Sequence, residues 1–176
     1  IMVAVLNERQ IARVTDVRQS EGLPAFLQGN QTGLHSGFMG AQVTASALVA
    51  EMRSHAIPAS IQSIPTNGNN QDVVTMGTIA ARKTANTLDD VARVLAINAL
   101  CLCQAVDIRR QQEAVGSVST ATSALHHFIR FISPFLHQDR PLSEEIETVA
   151  LAFKTPHLLD TIFADHASES TELAKI

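Results

Sequence analysis

Carboxamide side chains cluster in one short polar stretch of an otherwise apolar chain. Residues 64–77 read IPTNGNNQDVVTMG, and within this stretch Asn67, Asn69, Asn70 and Gln71 stand almost side by side. One carboxamide can both donate and accept hydrogen bonds, so the cluster suits a ligand that carries both kinds of partner, such as a zwitterion or a carbonyl compound. The cluster is therefore a candidate for one wall of a binding site.

The same stretch also has a purely structural explanation. Asn67-Gly68 is a dipeptide typical of turns, and Asp72 or Asn70 could cap a helix that follows. The N-terminus of that helix would also attract a carboxylate or another anion. If Asp72 is the cap, the side chains of Asn70 and Gln71 are left over. Both interpretations, a cap alone and a binding wall, stay open on the residues themselves.

Other candidate groups lack the spacing of a metal site. His126 and His127 are adjacent and face different sides of a helix, and the sequence has no His-x-x-x-His pair. Cys101 and Cys103 are the only cysteines, and two positions apart on a helix they point about 200° apart. We predict no bound metal and no disulfide framework, which fits a reducing compartment and a cytoplasmic location.

The composition is that of a folded globular domain. The 176 residues are 45% hydrophobic and 17% charged, which is enough for one core. A net charge of −4 gives no electrostatic reason to expect nucleic acid. No apolar run reaches the roughly 18–20 residues that span a bilayer, so we expect no membrane partner. The first residues do not look like a signal peptide, and their start inside an apolar pattern without an initiator methionine favours a fragment.

The elements that must position the carboxamides are helices throughout. Apolar periodicity predicts helices at about 1–18, 36–55, 72–110, 119–132 and 143–154. The third helix would be about 55–60 Å long, and such a length favours an oligomeric bundle. Ser143 is the predicted N-cap of the last helix, and the polar tail from Ala164 onward is expected to fray.

The predicted fold class is therefore all-α, a long-helix bundle. We divide the chain into residues 1–115, a central bundle that carries the active-site loop at 64–72, and residues 116–176, a C-terminal helical segment. No repeat, low-complexity tract or strand pattern interrupts this arrangement.

Three runs carry a resemblance to a known family. They are GLHSGFMGAQVTASALVAEMRS, PASIQSIPTNGNNQDVVTMGTIAARK and LCLCQAVDIRR, which begin at residues 33, 58 and 100. Over about residues 8–110 the sequence closely resembles the aromatic amino acid ammonia-lyases and 2,3-aminomutases, which act on histidine, phenylalanine or tyrosine. The continuation of the resemblance to the end of the chain is weaker.

The resemblance implies a cofactor and partners that this chain does not supply by itself. Family members use 4-methylidene-imidazol-5-one (MIO), formed autocatalytically from an internal Ala-Ser-Gly, and they assemble as long-helix homotetramers. This chain contains no Ala-Ser-Gly and no tyrosine, whereas the family uses a catalytic tyrosine. The sequence thus looks like the C-terminal portion of the ammonia-lyase fold, with the N-terminal portion as its partner, and alone it should be inactive.

The family's Asn-Gln pair, which lies beside the prosthetic ring and the substrate amino group, matches Asn70 and Gln71. The resemblance therefore implies catalytic, substrate-binding and cofactor-binding roles for this pair, with Asn67 as a further substrate contact. Histidine-specific relatives have Glu at the position of Gln71, so the resemblance favours L-tyrosine or L-phenylalanine as substrate. Elimination to an aryl acrylate and re-addition to give a β-amino acid both stay open, as do a histidine ammonia-lyase and a non-catalytic helical oligomerisation module.

Overall fold

The chain folds into a bundle of five α-helices within the residues that the structure describes. This computed structural model describes residues 1–29, 33–114, 116–158, 160–162 and 164. The helices are α1 (Met2–Thr15), α2 (Met39–His55), α3 (Gly77–Gln111), α4 (Thr120–Ile132) and α5 (Ser143–Phe153). Short 3-10 turns form at Ala25–Leu27 and Ala59–Gln62. The all-α prediction is confirmed, while the predicted fraying of the tail concerns residues that, apart from Ala164, lie outside the described part.

Helix α3 is the central element of the bundle, and each of the other four helices contacts it. Its buried residues begin at Asp90 and recur to Ile108, and they include Val94, Ile97, Leu100, Cys101 and Ala105. Burying each large apolar side chain contributes about 1.5–3 kcal/mol to folding. The second half of α3 is therefore held firmly in the core.

A buried amide joins the C-terminal segment to this core. The side chain of Gln104 is fully buried. Its Nε2 donates to the carbonyl oxygens of Leu27 (3.3 Å) and Leu136 (3.0 Å), and its Oε1 accepts from the backbone N–H of Leu136 (3.0 Å) and from Arg130 (3.2 Å). Because every hydrogen-bonding position of the amide is used, Gln104 fixes the segment after α4 against α3. The division at residue 115 remains a prediction.

The first three turns of α3 extend beyond the core. From Gly77 to Leu88 the residues are exposed apart from half-buried Lys83 and Thr87. The Lys83 ammonium donates to the carbonyl oxygen of Ile57 (2.5 Å) and so ties the segment after α2 to this extension. The extension carries the carboxamide stretch at its start and presents it away from the core.

Two expectations about helices need correction. Ser143 is the first residue of α5 rather than its N-cap, which is Leu142 without a side-chain cap. The expectation that no segment could span a bilayer was also too simple, because α3 is long and apolar enough to do so. Since 61% of its most apolar window is buried inside the protein, the bundle core already accounts for that apolar character.

Candidate functional site

The carboxamide stretch forms a tight hairpin-like turn. Thr66 and Gln71 face each other as an isolated antiparallel pair. The N–H of Thr66 donates to the carbonyl of Gln71 (3.1 Å), and the N–H of Gln71 donates to the carbonyl of Thr66 (3.3 Å). Inside the turn the N–H of Asn70 donates to the carbonyl of Asn67 (3.1 Å). Three backbone hydrogen bonds therefore define the positions of only six residues.

The residue types in the turn follow from its backbone conformation. Asn67, Gly68 and Asn69 have φ values of 54°, 60° and 64°, so three consecutive residues lie in the left-handed region. Glycine enters this region without steric cost, and asparagine tolerates it better than most residues. Two of the surplus amides, Asn67 and Asn69, are thus explained by the turn itself. Asn70 has no positive φ and needs another explanation.

The prediction that Asp72 caps the long helix is wrong. Helix α3 begins at Gly77, with Met76 as its N-cap and no side-chain cap. Met76 has a φ of 52°, a left-handed conformation that separates the helix from the turn. The first helical bond runs from the N–H of Ala80 to the carbonyl of Met76 (3.1 Å). Asp72 lies four residues too early, and the alternative cap, Asn70, lies earlier still.

A serine side chain forms a hydrogen bond with the segment that connects the turn to α3. The Oγ of Ser63 accepts from the backbone N–H of Val74 (2.8 Å). Sequence reasoning missed both Ser63 and Thr66 because it weighed only the amides. A Ser or Thr on either side of a polar turn is a weak signal for such bonds.

The side chains of Asn70 and Gln71 are adjacent in the turn and exposed. Among the described residues, the Asn70 side chain has no hydrogen-bond partner. The Oε1 of Gln71 accepts from the Oγ1 of Thr66 (3.0 Å), and its Nε2 has no partner in the described part of the chain. The structure thus places the two predicted residues side by side in the turn, and each has an exposed amide donor without a partner among the described residues. The substrate contact expected of the Asn67 side chain stays a prediction.

The remaining titratable groups form no second site with this turn. Burial raises the pKa of the Cys101 thiol, and it raises the pKa of Cys103 to about 11, so both are neutral thiols near pH 7. The Nε2 of His126 lies 2.8 Å from a carboxylate oxygen of Asp107. Burial, aided by the cations of Arg110 and Arg130, lowers the pKa of His126 even though Asp107 favours the charged ring. In the part of the chain that the structure describes, no cluster of His, Cys, Asp and Glu could hold a metal.

Fold and site together define a class: an all-helical bundle protein that presents a fixed, carboxamide-rich turn at the exposed end of its longest helix. A family model described as aromatic amino acid lyase matches residues 1–131. The chain belongs to the aromatic amino acid lyase family, as its sequence motifs indicated.

Curated relatives give the detail of this similarity. The chain is 54% identical over 149 residues to a tyrosine ammonia-lyase of Cereibacter sphaeroides, covering 85% of this chain and 28% of the relative. It is 45% identical to an MIO-dependent tyrosine 2,3-aminomutase of Streptomyces globisporus, covering 91% and 29%. It is 42% identical to a histidine ammonia-lyase of Natranaerobius thermophilus, covering 84% and 28%. The chain spans less than a third of the length of the curated relatives it matches.

Solved structures agree with the fold. The phenylalanine aminomutase of Pantoea agglomerans matches with a TM-score of 0.81 at 37% identity, covering 89% of this chain and 30% of that protein. The tyrosine aminomutase of Streptomyces globisporus matches with a TM-score of 0.79 at 43% identity, covering 94% and 30%. The similarity therefore extends well past residue 110, where the sequence motifs end.

Proposed function

We propose that this chain is a segment of an MIO-dependent ammonia-lyase or 2,3-aminomutase that acts on L-tyrosine or L-phenylalanine. The observation that carries the proposal is the fixed turn that presents the free amide groups of Asn70 and Gln71 side by side. The 54% identity to a tyrosine ammonia-lyase and the 45% identity to a tyrosine 2,3-aminomutase support this substrate class.

The residues of the turn fit the prosthetic group that this reaction needs. An imidazolone ring offers a carbonyl oxygen and an imine nitrogen as acceptors, and the N–H groups of a carboxamide can donate to either. Once formed in the N-terminal portion, MIO would supply an electrophile toward the amino group of the substrate. The donor set contains no thiolate or ammonium that would compete as a nucleophile for this electrophile at the turn.

Asn70 and Gln71 act by orienting the reactants. Their backbone is held by the Thr66–Gln71 pair, so the amides meet a ligand without first being ordered themselves. Preorganised donors of this kind stabilise developing charge better than mobile ones. Gln71 is neutral, so it provides no negative partner for an imidazole substrate, which disfavours histidine.

The partners follow from the same proposal. The catalytic tyrosine and the Ala-Ser-Gly come from the N-terminal portion of the enzyme, so this segment alone is inactive. The complete protein is a cytoplasmic homotetramer that binds no nucleic acid and no membrane. The exposed extension of α3 supplies a surface for such an assembly.

A chimera tests the proposal. This chain replaces the matching segment of the Cereibacter sphaeroides tyrosine ammonia-lyase, and the product is incubated with tyrosine, phenylalanine or histidine. We expect an aryl acrylate, detected by its ultraviolet absorbance, or a β-amino acid, detected by chromatography, from tyrosine or phenylalanine.

The control is the unaltered Cereibacter enzyme under the same conditions. A chimera that folds and assembles like this control but converts none of the three amino acids contradicts an enzymatic role and favours a non-catalytic oligomerisation module. Conversion of histidine alone would instead assign the segment to the histidine ammonia-lyases.

A further inference from the structure

We propose that Thr66 is a positioning residue that decides which end of the Gln71 carboxamide faces the ligand. This inference rests on the proposed function and deepens it, because it assigns a hydrogen-bond polarity to one wall of the site. It concerns a side chain outside the Asn-Gln pair.

Backbone pairing brings the two residues together. Thr66 and Gln71 exchange both of their N–H···O bonds, at 3.1 and 3.3 Å. Side chains of such directly opposed residues project to the same face and lie within reach of each other. The backbone pairing in the turn therefore places the hydroxyl of Thr66 beside the carboxamide of Gln71.

The contact fixes the direction of the amide. The Oγ1 of Thr66 donates to the Oε1 of Gln71 at 3.0 Å. With its oxygen held by Thr66, the amide turns its Nε2 away from Thr66, and this nitrogen has no partner among the described residues. A free carboxamide could present either end, whereas this one presents a donor. The matching ligand atom is therefore an acceptor oxygen, either of the substrate carboxylate or of the prosthetic-ring carbonyl.

A double-mutant cycle in the chimera separates this role from a purely structural one. Thr66→Val keeps the shape of the side chain and removes the hydroxyl. We expect kcat/KM to fall about 5- to 30-fold, the range that corresponds to losing one hydrogen bond. Thr66→Ser retains the hydroxyl and should restore most of the activity.

The second half of the cycle uses Gln71→Glu. The two oxygens of a carboxylate are equivalent. A glutamate at position 71 therefore presents the same group to the ligand whichever oxygen Thr66 binds. We expect Thr66→Val to change kcat/KM less than about twofold in the Gln71→Glu background. Equal losses in both backgrounds would show that Thr66 only supports the turn, and they would overturn the proposal.

Inhibition distinguishes the two acceptor oxygens. If the amide faces the substrate carboxylate, Thr66→Val weakens inhibition by an aryl acrylate but not by the corresponding vinylarene, which lacks the carboxylate. If the amide faces the prosthetic-ring carbonyl, kcat falls while the ratio of the two inhibition constants is unchanged. Both results support the inferred polarity.

Crystal structures of the chimera and its Thr66→Val variant test the inference independently of turnover. We expect the Gln71 side chain to leave its position when the hydroxyl is removed. An unchanged Gln71 side chain would overturn the proposal even if the chimera is active. An inactive chimera in which Gln71 moves as expected would contradict the proposed function and leave the positioning role supported.

Discussion

At the scale of single residues, the turn divides its amides into two groups. Asn67 and Asn69 occupy left-handed backbone positions, where their short polar side chains are tolerated. Asn70 and Gln71 have ordinary backbone conformations and exposed side chains. The first group therefore serves the shape of the turn, and the second is available for a ligand.

We expect Asn70→Ala and Gln71→Ala to lower turnover of the chimera far more than its stability. Loss of one preorganised donor reduces kcat by about 100-fold, whereas an exposed side chain changes the free energy of unfolding by only about 0.5 kcal/mol. Steady-state kinetics and urea unfolding measure the two effects. Gln62→Ala, which removes another exposed carboxamide from the same connection, should change neither. Parallel losses of turnover and stability would support a purely structural turn.

Asn69 tests the backbone explanation. Because its φ is 64°, Asn69→Gly should leave the turn intact, while Asn69→Val should destabilise it by about 1–2 kcal/mol. Hydrogen exchange of the Asn70 amide, which bonds to the carbonyl of Asn67, reports opening of the turn. Asn70→Val is the matched control, since its φ is not positive. Equal protection in the Asn69→Gly and Asn69→Val variants would refute the backbone explanation.

At the scale of elements, the start of α2 depends on a distant loop. The carboxylate of Asp139 accepts from the backbone N–H groups of Ser36 (2.7 Å) and Gly37 (2.9 Å), just before α2 begins. These bonds satisfy donors near a helix N-terminus that would otherwise face water. The loop between α4 and α5 is thus coupled to the other end of the sequence.

This contact predicts a pH dependence of stability. The pKa of Asp139 lies below its usual range, mainly because the backbone N–H of Ser36 donates a hydrogen bond to the carboxylate. A lowered folded-state pKa means that the stabilisation is fully present above about pH 4, the ordinary aspartate value, and is lost as pH falls through the folded-state pKa. Asp139→Ala should therefore cost about 1 kcal/mol at pH 7 and less near pH 2.

Urea unfolding of the parent and the Asp139→Ala variant at both pH values measures this difference. Asp160→Ala is the control, because within the described part of the chain the Asp160 carboxylate pairs with the exposed ring of His157 and with no other side chain. If Asp139→Ala lowered the free energy of unfolding equally at pH 7 and pH 2, the ionised carboxylate would not be the source of the stabilisation.

Helix interiors could be predicted from the sequence, but the elements around the site could not be placed in full. Apolar spacing locates α3 because its buried residues recur at helical intervals, and Ser119 caps α4 through the Thr122 N–H as a typical start signal. The start of α3 was missed because Met76 adopts a left-handed conformation that methionine does not signal. The Thr66–Gln71 bond was missed because it depends on strand-like pairing across a turn, and composition carries no information about that pairing.

At the scale of the whole molecule, several large apolar side chains are exposed in the segment that contains the carboxamide turn and in the extension of α3. These residues, which we call the apolar edge, are Ile57, Ile61, Ile64, Val73, Ile79 and Leu88. Val73 is 82% exposed and Ile61 and Ile64 are each 66% exposed. Exposed apolar residues of this size, where they form one patch, are typical of interfaces. We therefore predict that the apolar edge lies in a subunit interface and that a neighbouring subunit completes the site at the turn.

The apolar edge yields a prediction for the chimera. Ile79 and Leu88 are 45% and 60% exposed, so replacing both with lysine should cost little stability within one subunit. In the assembled enzyme the same charges would be buried without partners, which is expensive. We therefore expect the Ile79→Lys/Leu88→Lys variant to sediment as a smaller species than the parent chimera and to lose turnover with its assembly. A Phe131→Lys/Leu151→Lys variant changes two exposed apolar residues on α4 and α5 and should keep the parent's mass and activity.

If the Ile79→Lys/Leu88→Lys variant kept the mass of the parent, the apolar edge would not be the interface. If it dissociated yet stayed fully active, the turn would not need a neighbouring subunit to complete the site.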